Sequence, residues 1–118
     1  MTNEIVGCAI EVNKHLGPGL LESAYQKCLK YELLNKGFNV QEELLLPISY
    51  KGVDIDHGYR IDLLVENVIV LELKTVEALN DIHEAQILTY MKLGNYPIGY
   101  LLNFNVKRMM NGLKRYVL

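Results

Sequence analysis

The 118-residue sequence has no stretch of about 18 uninterrupted apolar residues, which excludes an ordinary membrane-spanning helix. Met1, Thr2, Asn3 and Glu4 lack the basic-then-apolar layout of a secretion signal. A soluble, cytoplasmic protein with no membrane partner is therefore expected. Cysteine is scarce: Cys8 and Cys28 stand alone, both in helical patterns, with neither a CxxC nor a Cys/His ligand spacing. Two reduced core thiols are expected rather than a disulfide framework. His15, His57 and His83 have no i,i+4 partner of metal-ligand type, which argues against zinc. Repeats, low-complexity tracts and linkers are also missing. One domain over residues 1–118 is expected, since that length closes a single core.

What is present is an ordinary globular balance of 50% hydrophobic and 22% charged residues. The net charge of −2 argues against a protein that coats nucleic acid, because phosphate neutralisation dominates such binding. Lys107, Arg108, Lys114 and Arg115 nevertheless follow one another with no acidic residue between them. They read as either a phosphate-facing patch or a solvated edge.

Ile5, Ala9, Val12 and Leu16, widened by Val6 and Ile10, predict a first helix, broken at Gly17-Pro18-Gly19. A second runs from Leu21 to the helix-terminating Gly37. Val40 to Tyr50 reads as a strand and Lys51-Gly52 as a turn, with further strands from Tyr59 to Val65 and from Ile69 to Lys74. Asn80 or Asp81 caps a third helix on which Ile82, Gln86, Thr89 and Leu93 share a face, ending near Gly94. A buried strand from Ile98 to Phe104 follows, and Leu113 to Val117 adds an edge strand after the turn signal Asn111-Gly112. The order ααβββαβ(β) fits an α/β architecture, a central mixed sheet flanked by helices.

The chemistry concentrates on the third of these strands. Side chains alternate along a strand, so Glu72 and Lys74 share one face inside an apolar segment. Burying charges costs several kcal/mol unless they are paired or bind a metal. Asp62 on the preceding strand is the third charge, and the hairpin register decides whether it joins them. A two-residue loop at Glu66-Asn67 puts Asp62 opposite Leu71. A three-residue loop from Glu66 to Val68, or an equivalent bulge, puts it opposite Glu72 with Cβ atoms roughly 5 Å apart. The second register is the expectation. Two carboxylates so placed suit Mg²⁺ or Mn²⁺, and a Lys beside them adds a cation. Together they would activate water for in-line attack on a phosphodiester and stabilise the charge that develops. The bland alternative is an Asp–Lys–Glu ion-pair cluster that only sets strand register.

Asp62-x9-Glu72-Leu73-Lys74 resembles the signature of the PD-(D/E)xK nuclease superfamily, and Gly19-x2-Glu22-x2-Tyr25 matches the GxxExxY element that names a small prokaryotic branch of it. His83-Glu84-Ala85-Gln86-x3-Tyr90 and Gly99-Tyr-Leu-Leu-Asn103-Phe104 also resemble that branch, in the same order. Asn105 departs from it, standing where the branch has Gly. The resemblance implies a restriction-endonuclease-like fold and a Mg²⁺- or Mn²⁺-dependent nuclease acting on nucleic acid, DNA before RNA. It implies metal ligation by Asp62, Glu72 and the Leu73 main-chain carbonyl, and catalytic assistance from Lys74. Glu22 would be an acidic accessory residue, and Gln86 and Tyr90 would match the QxxxY element of exonuclease-like relatives.

Each accessory residue also has a reading on its own physics. Gln86 and Tyr90, spaced i to i+4 on the face of Ile82 and Leu93, are expected to point inward, where they hydrogen-bond the catalytic Lys, a phosphate or sheet-edge backbone. Glu22 in the first turn of its helix is alternatively a cap, and Tyr25 is read as a core aromatic with a wet hydroxyl. Arg60, two before Asp62, is expected on the same face as a phosphate contact or counter-ion. His83, one turn before Gln86, and Lys114 and Arg115 are weaker phosphate candidates. The competing functions are a catalytically silent nuclease-fold module that binds nucleic acid or protein, and an interaction domain stabilised by a buried ion-pair network. A homodimer is compatible with a double-strand cut.

Overall fold

The computed structural model describes residues 1–56 and 58–118, so the reading of His57 lies outside the described residues. Among the described residues three helices, α1 (Thr2–Leu16), α2 (Glu22–Asn35) and α3 (Asp81–Gly94), accompany seven strands. These are β1 (Val40–Leu45), β2 (Ile48–Tyr50), β3 (Val53–Ile55), β4 (Arg60–Val65), β5 (Ile69–Lys74), β6 (Ile98–Asn103) and β7 (Leu113–Val117). The main sheet runs β1-β4-β5-β6-β7, and β2-β3 is a separate hairpin. β5 and β6 pair in parallel, connected through α3, and the other neighbours are antiparallel. The result is the expected mixed sheet flanked by helices.

Two apolar layers sandwich the sheet. Ile5, Ala9 and Val12 of α1 and Tyr25, Leu29 and Leu33 of α2 pack on Leu63, Val65, Leu71 and Leu73. On the other face Ile87, Tyr90 and Met91 of α3 pack on Leu64, Val70 and Leu101. Burial on both faces explains why β4, β5 and β6 read as continuous apolar runs rather than alternating ones. Local signals set the helix ends. At the end of α2, Gly37 (φ 89°) lets Phe38 N–H reach the Leu33 carbonyl and its own N–H reach Leu34, the bonding of a Schellman turn. Asn80 caps α3, its side chain accepting from the Ile82 and His83 N–H groups.

Several expectations are corrected. The stretch from Val40 to Tyr50 is not one strand: Pro47, with no N–H to give a ladder, separates β1 from β2. β2 then turns through Lys51 and Gly52, both at positive φ, into β3, which sequence patterning did not reveal. On α3, Ile82 (78% exposed), Thr89 and Leu93 face solvent, and the inward stripe is Ile87, Tyr90 and Met91 with Gln86 at its border. The stripe is displaced because α3 lies over Gly99, where a Cβ would meet Met91 and Ile87.

Asn111-Gly112 closes a 3-10 turn, Met109–Gly112, rather than a hairpin turn. Gly112 is required there by close approach, since a Cβ would land on the Asn103 carbonyl oxygen. Gly112→Ala is therefore expected to lower stability by about 1–3 kcal/mol, the usual cost of overpacking. Thermal unfolding followed by circular dichroism measures it, and an unchanged midpoint would contradict the packing described.

Candidate active site

The β4–β5 hairpin decides which charges meet. Glu66 and Asn67 both take positive φ (55° and 56°), an arrangement that matches the twist of paired strands. Val68 N–H closes the turn on the Val65 carbonyl at 3.0 Å. Val68 is then an extra residue, so that Val65 pairs with Ile69 and Leu63 with Leu71. The left-handed strain at Glu66 is countered by its tie to Asn39, whose N–H donates to the Glu66 carboxylate at 2.6 Å. This is the three-residue register, and it brings Asp62 level with Glu72.

The ladder opens at that point. Paired residues stop at Leu63–Leu71, and the next N–H groups are taken by side chains: Asp62 N–H donates to Glu72 Oε1 at 3.1 Å, and Leu73 N–H to Asp62 Oδ2 at 2.9 Å. β1 changes as well. Val40 belongs to the α1–α2 layer but Leu44 and Leu46 to the α3 layer, and on β4 Leu63 and Val65 belong to the first while Ile61 belongs to the second. Both strands therefore switch faces between Glu43, at φ 54°, and Asp62. The irregular backbone coincides with the cluster of charges, as strained backbone at functional sites does.

Glu72 is 3% exposed. Burial first, then the Asp62 carboxylate, pushes its carboxyl well above the usual range. Asp62 is raised in the same direction, by burial and then by the carboxylates of Glu22 and Glu43, against the Leu73 N–H bond and Lys74. Two carboxylates held together against their own repulsion are a favourable site for a hard dication. Among the described residues no group of three or more His, Cys, Asp or Glu side chains is gathered as a metal cluster. A donor set of two carboxylates fits Mg²⁺ or Mn²⁺, which keep several waters, better than the closed N/S site of structural zinc.

Lys74 completes the group but pairs with neither acid. Among the described residues it makes no salt bridge. Its Nζ donates to Gln86 Oε1 at 3.0 Å, and Gln86 Nε2 donates to the Tyr90 hydroxyl at 3.1 Å. The simple Asp–Lys–Glu ion-pair cluster is thereby corrected: the cation is oriented by an amide. Tyr90, itself raised chiefly by burial, anchors that amide from the inward face of α3.

Glu22 is the first residue of α2 and the acidic side chain of its first turn, so the helix-dipole reading stands beside the accessory one. Burial raises its carboxyl and Lys74 opposes the rise, placing it electrostatically with Lys74, Asp62 and Glu72. Tyr25 positions that helix start. Its hydroxyl is not wet: it donates to Gly17 O at 2.6 Å and accepts from Leu20 N–H at 3.1 Å, while the ring stacks on Phe104 at 4.9 Å. The loop between α1 and α2 is thus tied to the residue one turn after Glu22.

Other candidates fall elsewhere. Arg60 is exposed, pairs with Leu45 on β1 and makes no ion pair among the described residues, so the counter-ion reading fails. The face switch at Asp62 removes the i,i+2 alignment on which it rested. His83 closes the α3 capping box, its Nδ1 accepting from Asn80 N–H at 3.2 Å. Lys114 and Arg115 are exposed on the edge strand β7. Two residues near the site have no role assigned by sequence. Asn103, 3% exposed, accepts from Val76 N–H at 3.1 Å and donates to Val76 O at 2.8 Å, clamping the segment that leaves Lys74. Its signals are its place in the element from Gly99 to Phe104 and a polar side chain ending an apolar strand, neither of which assigns it a role. Glu43 approaches the acids through a backbone conformation that sequence does not reveal. Asn105, the departure from the branch pattern, is not at positive φ, and its N–H donates to Asn103 Oδ1 at 3.1 Å.

The model of one protein family, described as the PD-(D/E)XK nuclease superfamily, matches residues 1–116. No curated protein and no solved structure matches the chain.

The acid pair has a stability signature. A carboxyl whose folded pKa lies above its unfolded value contributes fully below the unfolded pKa, and that contribution is lost as pH rises through the folded one. With metal chelated, wild-type stability should fall from about pH 4.5 toward neutrality, the range above an unperturbed glutamate. Glu72→Gln keeps the acceptor for Asp62 N–H and removes the charge. Melts across this range should show the variant more stable at neutral pH, with the gap closing in acid. A constant gap would disprove the electrostatic cost.

Proposed function

The chain belongs to the PD-(D/E)XK nuclease superfamily, and on that premise we propose that residues 1–118 act as one domain hydrolysing phosphodiester bonds of nucleic acid, DNA before RNA. The observation that carries this reading is the meeting of Asp62 and Glu72 at the opened ladder, with Lys74 held beside them by Gln86. Asp62, Glu72 and the Leu73 carbonyl are the proposed ligands of Mg²⁺ or Mn²⁺. A bound dication supplies the charge that activates water and neutralises the phosphate.

The chain's own residues do the rest. The Lys74 ammonium stands where a phosphate oxygen gains negative charge during in-line attack. Gln86 and Tyr90 hold it there, so that little reorganisation accompanies the reaction. Glu22 tunes the local charge and restrains Lys74 electrostatically. Placement in the prokaryotic GxxExxY branch, a cytoplasmic location, and a homodimer for double-strand cuts belong to the same proposal, supported by Gly19, Glu22 and Tyr25 for the branch. No described helix is long and apolar enough to cross a membrane.

The test is divalent-metal binding by calorimetry together with cleavage of labelled DNA and RNA in Mg²⁺ and Mn²⁺. Glu72→Ala should lose metal binding and cleavage together, and Lys74→Ala should lose cleavage by a factor of about 10²–10³ while still binding metal. Folded wild-type protein with neither metal affinity nor cleavage would remove the nuclease reading. Gln86→Ala should reduce kcat by about 10–100-fold, the range for groups that orient a reacting residue. Gln86→Glu, which keeps an acceptor for Lys74, should recover part of the loss.

A further inference from the structure

Charge is divided unevenly along this chain. Residues 1–84 carry seven Lys and Arg against fourteen Asp and Glu, whereas residues 85–118 carry five Lys and Arg and no acidic side chain. Tertiary structure gathers much of that excess at one end of the sheet. β5 and β6 run parallel with Lys74 opposite Asn103, so both leave the sheet on the side of the acid pair. β7 returns antiparallel, Leu113 opposite Leu102, so its first residues lie at that end too.

The segment after β6 carries Lys107 and Arg108. It is joined to the end of α1 by Asn13 Nδ2, which donates to Val106 O at 2.9 Å, and this brings Lys14 alongside. A concavity of about 370 Å³ lies between them, lined by Asn13, Lys14, Lys107, Arg108, Met110 and Asn111. Lys14, Lys107, Arg108 and Lys114 are all exposed, and none forms an ion pair with a described carboxylate. Arg115, next along β7 and opposite Tyr100, lies further from this end.

We propose that Lys14, Lys107, Arg108 and Lys114 form a cationic rim for the phosphodiester backbone of the substrate strand, which passes from Lys74 across the end of β6 toward β7. The proposal rests on the nuclease reading and adds where the strand goes. The acids near Lys74 repel a polyanion, so affinity must come from cations set apart from them, and these four are not neutralised. Neighbouring strands lie about 4.8 Å apart, so β7 is roughly 10 Å from β5. At a rise of about 3.4 Å per nucleotide, Lys114 on β7 meets a phosphate about two to three nucleotides from the bond being cut. The Asn103–Val76 bonds join the two parts rigidly. Contacts of this kind position a strand without reading its bases.

The experiment uses the full chain and labelled DNA and RNA oligonucleotides, with anisotropy measured in chelator over a range of NaCl concentrations and cleavage in Mg²⁺ and in Mn²⁺. Lys107→Gln with Arg108→Gln should weaken binding at least tenfold. The slope of log affinity against log salt should fall by about 2, near one per phosphate contact. Lys14→Gln alone should lower it by about 1. Cleavage should lose through KM, and the difference from wild type should shrink on substrates trimmed to the nucleotides at the cut. Lys92→Gln, at the far end of α3, is the control. Cleavage by wild type with affinity and slope unchanged in the rim variants would overturn the rim alone. No cleavage of any substrate in either metal would overturn the nuclease reading and with it the substrate path, even if the rim still governed binding.

Discussion

The organising constraint is a place where a β-ladder stops and two carboxylates continue it. Beyond Leu63–Leu71 the N–H groups of Asp62 and Leu73 find side-chain acceptors on the opposite strand rather than carbonyls. Buried backbone donors have to be satisfied, so the two strands can separate only if Asp62 and Glu72 stay in place. This couples the hydrogen bonding of the sheet to the position of the acids. The same coupling forces two negative charges together inside a largely apolar surrounding, where burial and mutual repulsion both favour protonation.

Much of the remaining structure makes that conflict tolerable. A small domain has a net stability of only about 5–15 kcal/mol, so a site of this kind needs well-packed layers on each side of it. One layer comes from α1 and α2 and the other from α3. Tyr25, stacked on Phe104 and bonded to Gly17, fixes the start of α2 and so the direction from which Glu22 approaches. On the other side Tyr90 holds Gln86 and Gln86 holds Lys74, so the cation is restrained without being neutralised by the acids. An ion-paired Lys74 would be closer to an inert structural cluster. An amide-held one keeps its charge available to a phosphate oxygen.

The hydrophobic periodicity of the chain was enough to place three helices and most of the sheet, because burial on a helix stripe or strand imprints directly on residue order. It was insufficient at the edges. The β2–β3 hairpin is short and mostly exposed, with burial patterns that carry little alternation. On α3, Gln86 and Tyr90 turn inward as periodicity predicts, but Ile82 and Leu93, on the same helical stripe, remain exposed while Ile87 and Met91 sit over Gly99. Periodicity reports which residues align along a helix, whereas the neighbouring sheet decides which aligned set is covered.

The chemistry divides in the same way. Sequence by itself determined that Glu72 and Lys74 share a strand in an apolar run, that Gln86 and Tyr90 are one helical turn apart, and that the last third of the chain is cationic, because each is a local matter of spacing and composition. Only tertiary structure decided that Val68 is an extra residue bringing Asp62 level with Glu72, that Lys74 turns to Gln86 rather than to the acids, and that Asn103 clamps Val76. It also decided that Arg60 stands apart and that Lys14 joins Lys107 and Arg108 from far away in the chain. The physical reason is that register, face switching and long-range charge proximity depend on turn geometry and on packing between distant segments, and no local pattern of residues encodes them.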